Sequence, residues 1–262
     1  MGKLGRAKIA VIGGSGLERL FEGGEKVRVG TPYGVPPQIT IKEIHGKKVA
    51  FLPRHGVTHS IPPHKVNYRA NLWALREVGA ERIISTNAVG AINERYKPGD
   101  FLVPSDLIDF TKSRPQTFYE EGKVVHVDCS QLYCPELREI ILGSGGKVGA
   151  KIFDGGVLAC TEGPRFETPA EIKMMKILGC DAVGMTGAPE AFLAKELGAC
   201  YAPLCLVSNM AAGIQQRLTA VEVVKAAEKA LPLMKAILEE AIREAREERS
   251  CKCAKALEGA EM

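Results

Sequence analysis

Segments with strand and helix character alternate along most of the chain, and this alternation restricts the folds that it can adopt. Seven short apolar runs favour strands: Lys8–Ile12, Gln38–Ile44, Val49–Leu52, Arg82–Thr86, Phe101–Pro104, Gly156–Cys160 and Cys200–Val207. Five stretches have the apolar spacing of helices: Val66–Val78, Pro135–Leu142, Pro169–Ile177, Pro189–Leu197 and Ala220–Arg249. The pattern predicts a single α/β domain with a mixed, largely parallel central sheet flanked by helices and a long C-terminal helix.

The last predicted helix marks the end of the folded body. Thr219-Ala220-Val221-Glu222 matches a capping box at its start, and charged residues dominate beyond Arg243. We therefore predict a domain over residues 1–249 and a charged tail over residues 250–262 that contains Cys251-Lys252-Cys253 and leaves the surface.

Charge and hydropathy exclude several classes of protein. The net charge of +4 is spread along the sequence, so nucleic acid is not an expected partner. No apolar run approaches the roughly 18 residues that a membrane span requires, and the N-terminus lacks a signal-peptide core, which predicts a cytoplasmic protein. Glu, Lys and Arg are abundant while Asn and Gln are scarce, a composition typical of thermophiles.

The chain has eight cysteines. Six occur singly without metal-ligand spacing, and we expect most of them to be buried thiols: Cys129, Cys134, Cys160, Cys180, Cys200 and Cys205. Cys251 and Cys253 form a Cys-x-Cys pair, which is either a small strained disulfide or two incidental thiols at a frayed end. The redox state of this pair stays open at the level of the sequence.

Two polar or glycine-rich segments, Gly13-Gly14-Ser15-Gly16 and Arg54-His55-Gly56, follow predicted strands. Thr86–Gly90 lies at the end of another predicted strand, and Met185-Thr186-Gly187 is the fourth such segment. In the second, a guanidinium can grip phosphate and an imidazole can donate beside it. Each segment alone also fits a tight turn, a surface ion pair or a helix approach. Together they predict an anion site at one edge of the sheet.

Two further segments suit a planar ligand. Thr161–Thr168 places Phe166 and Glu167 just before a predicted helix that Thr168 and Glu171 cap, so Glu167 is free to bind something else. Asn209 follows a strand, and its amide can form hydrogen bonds with a ring nitrogen and a neighbouring carbonyl at once, because it both donates and accepts. A strand-to-helix turn and an Asx turn explain the two segments equally well in isolation.

Several common catalytic chemistries lack their signatures. The sequence contains no serine nucleophile elbow, no zinc-spaced His/Cys set and no aspartate cluster for magnesium. We therefore expect a mechanism with no metal and no covalent enzyme intermediate.

Eight motifs taken in order resemble the trimeric purine nucleoside phosphorylase and methylthioadenosine phosphorylase family, and its archaeal and bacterial six-oxopurine branch in particular. The motifs are GGSG, RHG, NYRANLWAL, TNAVG, RPQTFY, TEGPRFET, GMTGAPE and SNMAAG, and the match runs from about Ile9 to Ala241. The resemblance implies a phosphorylase/hydrolase-like fold, a trimer or a dimer of trimers, and phosphorolysis of a purine nucleoside for salvage. Inorganic phosphate is then the co-substrate, and no cofactor is implied.

The resemblance also implies roles for individual residues. Phosphate would be held by Ser15, Arg54, His55, Asn87, Ala88 and Thr186, and the nucleoside would contact Phe166, Glu167, Met185, Asn209, Met210 and Ala211. Asn209, His55 and Arg54 would be catalytic. His126 matches a position that closes the ribose pocket of a neighbouring subunit in family trimers.

Family members that use methylthioadenosine carry acidic residues at the sites matching Asn209 and Ala211, and a small hydroxyl residue at the site matching Glu167. This chain departs from that pattern at all three, which favours inosine and guanosine. Val221 lies at a position linked to the 5′ substituent, so S-methyl-5′-thioinosine or S-methyl-5′-thioadenosine phosphorylase stays open. A nucleoside-binding protein without turnover and a nucleoside hydrolase also stay open, although a hydrolase would use an aspartate cluster with calcium.

Overall fold

The computed structural model describes residues 7–14, 16–56, 58–246 and 248–262. Within them eleven strands form one sheet: β1 (Ile9–Gly13), β2 (Glu25–Val27), β3 (Ile39–Ile44), β4 (Lys47–Pro53), β5 (Arg82–Ala91), β6 (Phe101–Val103), β7 (Asp106–Phe110), β8 (Ile152–Asp154), β9 (Val157–Thr161), β10 (Ala182–Gly184) and β11 (Cys200–Met210). Five α-helices accompany them: α1 (Tyr68–Glu77), α2 (Pro135–Lys147), α3 (Pro169–Ile177), α4 (Gly187–Glu196) and α5 (Ala220–Glu244).

The sheet is mixed, and its centre is parallel, as the alternation predicts. β4, β1, β5 and β11 pair in parallel, whereas β2, β3 and β10 add antiparallel pairs. β11 also pairs with β6, which pairs with β8. The parallel centre therefore brings the carboxyl ends of β1, β4, β5 and β11 to one edge, where ligands of α/β proteins bind.

Alternate residues of the central strands face two separate cores. Val11 of β1 belongs to a cluster with α2 and α5, while Ala10 and Ile12 belong to another with α1 and α4. The strand period of two residues thus covers both faces of the sheet with helices. In α5, Met234, Leu238 and Ala241 are buried against the first cluster.

The sequence locates the main elements and misses the short ones. Thr168 and Glu171 form the predicted capping box at α3, and Thr219 and Glu222 form the one at α5. Four strands of three to five residues were not predicted: β2, β7, β8 and β10. They are short edge or connecting strands whose hydrogen bonds depend on distant partners.

Two central strands run further than predicted. β5 continues through Thr86–Gly90, which the sequence places after the strand, and β11 continues through Asn209 to Met210. Because these segments are paired with each other along β5 and β11, they are rigid strand positions rather than loops. A register shift between Val207 and Asn209 marks where β11 departs from regular pairing.

The prediction that the tail leaves the surface is wrong. The C-terminal segment, residues 248–262, packs back onto the body, where Cys253 and Ala260 are buried and Val125 pairs with Glu261. The Glu136 carboxylate accepts from the backbone N–H groups of Ser250 and Cys251. The predicted thiols follow expectation except at Cys129, which is exposed. None of the described helices combines the length and apolar character needed to cross a membrane.

Candidate functional site

A cavity of about 1050 Å³ lies at the edge where the parallel strands end. It brings together most of the predicted site residues, namely Arg54, His55, Asn87, Ala88, Phe166, Glu167, Met185, Thr186, Asn209 and Ala211. They come from β5, from β11 and the residue after it, from the residues that follow β4, and from the segments before α3 and α4. The predicted anion site and the predicted planar-ligand site are thus two parts of one cavity.

Arg54 is the charged centre of the anion part. Its Nε donates to Glu190 Oε1 at 2.5 Å, its Nη2 to Glu190 Oε2 at 2.9 Å and its Nη1 to the Thr86 carbonyl at 2.9 Å. Burial alone would lower the pKa of Arg54, but the Glu190 carboxylate more than offsets this and raises it. The guanidinium is therefore held in a fixed, charged orientation, with two of its five N–H donors unused by these bonds.

A chain of hydrogen bonds connects this ion pair to the polar side chains of β5 and α4. Thr186 Oγ1 donates to Asn87 Oδ1 at 2.8 Å, and Asn87 Nδ2 donates to Ser85 Oγ at 3.2 Å. Ser85 Oγ lies 2.7 Å from the hydroxyl of Tyr201, which donates to Glu190 at 2.9 Å. Ala88 is the exposed residue of otherwise buried β5, and it faces the cavity. The network fixes the anion part before any ligand arrives.

His55 is neutral at pH 7. Burial and the neighbouring Arg54 charge lower its pKa to about 4. Its Nδ1 lies 2.8 Å from the carbonyl oxygen of Ile61, which can only accept, so Nδ1 carries the proton. Nε2 then presents a lone pair, and the expectation that the imidazole donates to an anion is wrong for this neutral form.

The planar-ligand part is built from two segments. Phe166 and Glu167 are half-buried, and Thr161 Oγ1 donates to Glu167 Oε1 at 2.6 Å, which orients the carboxylate. Asn209 is buried, accepting from Ser208 Oγ at 2.7 Å and donating to the Met210 carbonyl at 2.9 Å. An aromatic face, a carboxylate and an amide therefore line one cavity.

Gly90 makes room for this amide. A Cβ at position 90 would lie 3.1 Å from Asn209 Nδ2 and 3.4 Å from Val183 Cγ1. A side chain on this residue of β5 would therefore crowd the Asn209 amide, which would have to shift by a few tenths of an ångström.

Arg114 is the first residue of the RPQTFY motif, and the sequence gives it no individual role. In the structure it positions the backbone on two sides of the cavity. Its Nη1 donates to the Met185 carbonyl at 2.5 Å, and its Nη2 donates to the carbonyls of Thr161 and Glu162. One buried guanidinium thus links the segment before α3 to the segment before α4. Glu190 was also not predicted as a site residue. Its position inside a largely apolar predicted helix is the one feature of the sequence that could have indicated a buried partner for a cation.

Four predicted site residues are not placed in the cavity. Ser15 lies outside the described residues. Met210, His126 and Val221 do not line it; His126 and Val221 are exposed on the surface of the chain. The role of His126 toward a neighbouring subunit stays a prediction.

Helix α5 supplies an apolar wall. Val223, Val224, Ala227, Leu231 and Met234 line the cavity there, together with Leu218 and Leu17. A ligand in this cavity would meet cationic and polar groups at one part, an aromatic ring and two hydrogen-bonding groups at another, and aliphatic side chains at the third. This combination suits an anion together with a heterocycle that carries a partly apolar substituent.

Comparison with known proteins gives a consistent result. The family model described as the phosphorylase superfamily matches residues 8–243. A protein of Methanothermobacter thermautotrophicus named "Probable S-methyl-5′-thioinosine phosphorylase" is 52% identical, over 97% of this chain and 90% of that protein. The 6-oxopurine nucleoside phosphorylase of Pyrococcus furiosus is 48% identical, over 97% of this chain and 98% of that one.

Solved structures show the same fold. The crystal structure of a methylthioadenosine phosphorylase from an antarctic soil metagenomic library superposes with a TM-score of 0.93 at 34% identity. The match covers 98% of this chain and 93% of that chain.

Proposed function

Because the chain belongs to the phosphorylase superfamily, we propose that it is a purine nucleoside phosphorylase acting on 6-oxopurine nucleosides, inosine and guanosine. It splits them with inorganic phosphate into the free base and ribose 1-phosphate and serves purine salvage. The observation that carries this proposal is the single cavity that joins the Arg54 anion part to Phe166, Glu167 and Asn209.

Phosphate binds at the anion part. The unused N–H groups of Arg54, the Thr186 side chain and the backbone beside Ala88 line this part. The family resemblance assigns Ser15 to the same phosphate. The bound form is HPO4²⁻, whose hydroxyl donates to the lone pair on His55 Nε2. A neutral imidazole therefore suits the site better than a cation, because it accepts this proton without competing with Arg54.

The 6-oxopurine stacks on Phe166. Glu167 accepts from the protonated N1, and the Asn209 amide donates to the six-oxo edge and N7. Adenine lacks the N1 proton and carries an amino group in place of the oxygen, so Glu167 would face a lone pair. Unpaired buried polar groups of this kind cost about 1–3 kcal/mol each, which supports discrimination against adenosine.

Charge flow explains the catalysis. The electron pair of the C1′–N9 bond passes to the purine, and a phosphate oxygen forms the new bond to C1′. The ribose is oxocarbenium-like in between, stabilised by the adjacent phosphate, while Asn209 stabilises the developing purine anion. Over the whole reaction the proton of HPO4²⁻ is transferred to the base. No cofactor takes part.

The apolar α5 wall favours a second candidate substrate, S-methyl-5′-thioinosine. It has the same base and an apolar 5′ group, which Val223, Val224 and Leu218 could contact at no polar cost. The 5′ preference is tested by Val223→Asn, which should reduce use of methylthioinosine relative to inosine. Val221→Asn is the matched control because it lies outside the cavity; if it alone changes the ratio, position 221 carries the preference instead.

We further propose a cytoplasmic homo-oligomer, a trimer or a dimer of trimers, in which His126 closes the ribose pocket of the adjacent subunit. Its exposure supports this role, because an exposed imidazole is accessible to a neighbouring subunit. The backbone N–H of His126 donates to the Ala260 carbonyl at 2.8 Å, which ties this segment to the C-terminal segment and fixes where the imidazole is presented. Sedimentation of the purified protein, together with the activity of His126→Ala, tests this arrangement.

The main test is a side-by-side phosphorolysis assay of inosine, guanosine, adenosine and methylthioinosine. We expect base release that depends on phosphate, with inosine and guanosine well above adenosine. Release without phosphate would indicate a hydrolase, and no release at any phosphate concentration would indicate a binding protein.

Asn209→Asp tests how the base is read. A carboxylate at this position accepts from an amino group and repels a six-oxo group, so we expect the ratio of kcat/KM for inosine to that for adenosine to fall about 10- to 100-fold. An unchanged ratio would contradict the assignment of Asn209.

A further inference from the structure

A threonine hydroxyl orients the Glu167 carboxylate. Thr161 Oγ1 donates to Glu167 Oε1 at 2.6 Å, whereas the Gly184 carbonyl oxygen lies 3.4 Å from the same hydroxyl. A hydroxyl has one proton, so the shorter contact to a charged acceptor holds it. Among the described residues, none donates to Glu167 Oε2, which is therefore left for a ligand.

The two residues differ in how firmly their backbones are held. Thr161 ends β9 and pairs there with Phe110 of β7, and its carbonyl accepts from Arg114 Nη2 at 3.2 Å. Glu167 belongs to the segment between β9 and α3, where the backbone is neither strand nor helix. Glu167 lines the cavity and Thr161 does not. The hydroxyl of a fixed strand residue thus holds the carboxylate of a less restricted segment.

Arg114 supports Thr161 and has no donor left for a ligand. Its Nη1 donates to the Met185 carbonyl and to the Tyr68 hydroxyl, the latter at 3.1 Å. Its Nη2 donates to the carbonyls of Thr161 and Glu162, and its Nε lies 3.5 Å from Glu162 Oε1. These bonds use all five N–H groups of a guanidinium whose side chain is 2% exposed. The whole side chain therefore serves the protein around the base-binding segment.

On the basis of the proposed function, we propose that Thr161 is a positioning residue that sets base selectivity. Its hydroxyl fixes the Glu167 carboxylate so that Oε2 accepts from N1–H of a 6-oxopurine. A fixed carboxylate makes this contact without first losing rotational freedom. It also cannot turn away from the lone pair that adenine presents at N1. The same hydroxyl therefore strengthens the contact with 6-oxopurines and increases the penalty for adenosine.

Inosine and guanosine depend on Thr161 to different degrees. Hypoxanthine presents one donor to Glu167, the N1–H group, whereas guanine presents N1–H and the neighbouring 2-amino group. Two donors side by side match the two oxygens of a carboxylate and orient it themselves, while one donor leaves it free to rotate. Loss of the Thr161 hydroxyl should therefore reduce the use of inosine more than that of guanosine.

Thr161→Val tests the proposal, because it removes the hydroxyl and keeps the β-branched shape that suits a strand. Phosphorolysis of inosine, guanosine and adenosine is measured for the variant and the wild type. We expect the ratio of kcat/KM for inosine to that for adenosine to fall about 10-fold, and the ratio for guanosine to inosine to rise about threefold. If either ratio stays at its wild-type value, the proposal is overturned. Thr161→Ala makes the same test if the valine variant does not fold.

Two control variants separate the hydroxyl from a general loosening of the segment. Thr161→Ser retains the hydroxyl, so both ratios should return to near the wild-type values. Thr168→Val removes a threonine hydroxyl that caps α3 and leaves the donor to Glu167 in place, so it should lower stability without changing either ratio. Ratios that change as much in Thr168→Val as in Thr161→Val would overturn the proposal.

The wild-type protein shows separately whether the proposed function holds. Wild-type protein that releases no base from inosine, or that uses adenosine equally well, would overturn the proposed function and the role of Thr161 with it. Wild-type preference for inosine together with unchanged ratios in Thr161→Val would leave the proposed function intact and overturn the role of Thr161 alone.

Discussion

Two buried arginines lie at opposite ends of the central strands and use their charge differently. Arg54 directly follows β4 at the cavity, and Arg82 begins β5 beside Cys200; each is 2% exposed. Arg54 is paired with the fully buried Glu190 and uses three N–H donors in protein hydrogen bonds. Arg82 uses four, to Glu136, Cys200 and the carbonyls of Arg246 and Glu248.

The two buried arginines have different roles because they leave different numbers of N–H donors unused. A guanidinium has five donors, so Arg54 retains two for a ligand, whereas Arg82 is almost completely satisfied by the protein. Arg54 also faces an open cavity, while Arg82 faces the C-terminal segment. One end of the strands is therefore arranged to bind a substrate and the other to hold the chain together.

The largest effect is expected from Arg54→Met. Loss of the phosphate contact should reduce kcat/KM for phosphate about 100- to 1000-fold, and the uncompensated Glu190 should cost about 3–5 kcal/mol of unfolding free energy. Phosphorolysis of inosine and urea unfolding measure the two losses separately.

The double variant Arg54→Met with Glu190→Met separates the loss of stability from the loss of phosphorolysis. Replacing both charges by apolar groups of similar size removes the buried unpaired charge, so most of the lost stability should return while phosphorolysis does not. Recovery of activity in the double variant would show that Arg54 serves the fold alone, as Arg82 does.

Arg82→Met is the counterpart at the other end and should have a smaller effect. The carbonyls of Arg246 and Glu248 and the Glu136 carboxylate lose a donor, which should cost about 2–3 kcal/mol of unfolding free energy. Turnover of inosine by the folded variant should stay within about twofold of wild type, because the site lies at the far end of the strands. A large loss of turnover in the folded variant would contradict the conclusion that Arg82 serves the fold and not the substrate site.

The smallest effect concerns pH and His55. Its pKa is lowered to about 4 in the folded protein, against 6.5 ordinarily, so the unfolded chain binds more protons between these values. Stability from this group is present above pH 6.5 and is lost as the pH falls toward 4. Urea unfolding of the wild type and His55→Gln at several pH values should show a weaker pH dependence in the variant.

NMR titration of the His55 imidazole checks the same point directly. His126→Gln, which removes an exposed imidazole, is the control for the unfolding experiment. This variant should retain the wild-type dependence of stability on pH. A His55 pKa near 6.5 would contradict the neutral form on which the proposed contact with HPO4²⁻ depends.

Much of the site was predictable because its residues follow recognisable strands. Arg54 and Asn209 each lie at or near the end of a buried apolar run, and parallel strands bring such ends together. Glu190 was not predicted as a partner of Arg54, since 136 residues separate them and a carboxylate in an apolar helix does not reveal what it faces. Arg114 was missed for the same reason: its contacts are backbone carbonyls, which any sequence supplies.

The sequence alone determined the α/β class, the capping boxes of α3 and α5, the main strands and the motifs of the cavity, because hydrophobic period, caps and turn residues act locally. Only the tertiary structure decided that Thr86–Gly90 lies within a strand, that His55 presents a lone pair and that the C-terminal segment returns to the body. It also brought Cys134 and Cys200 to the Cys-x-Cys pair. These outcomes depend on which distant groups meet in the folded core, and on the burial and charge that each group then experiences.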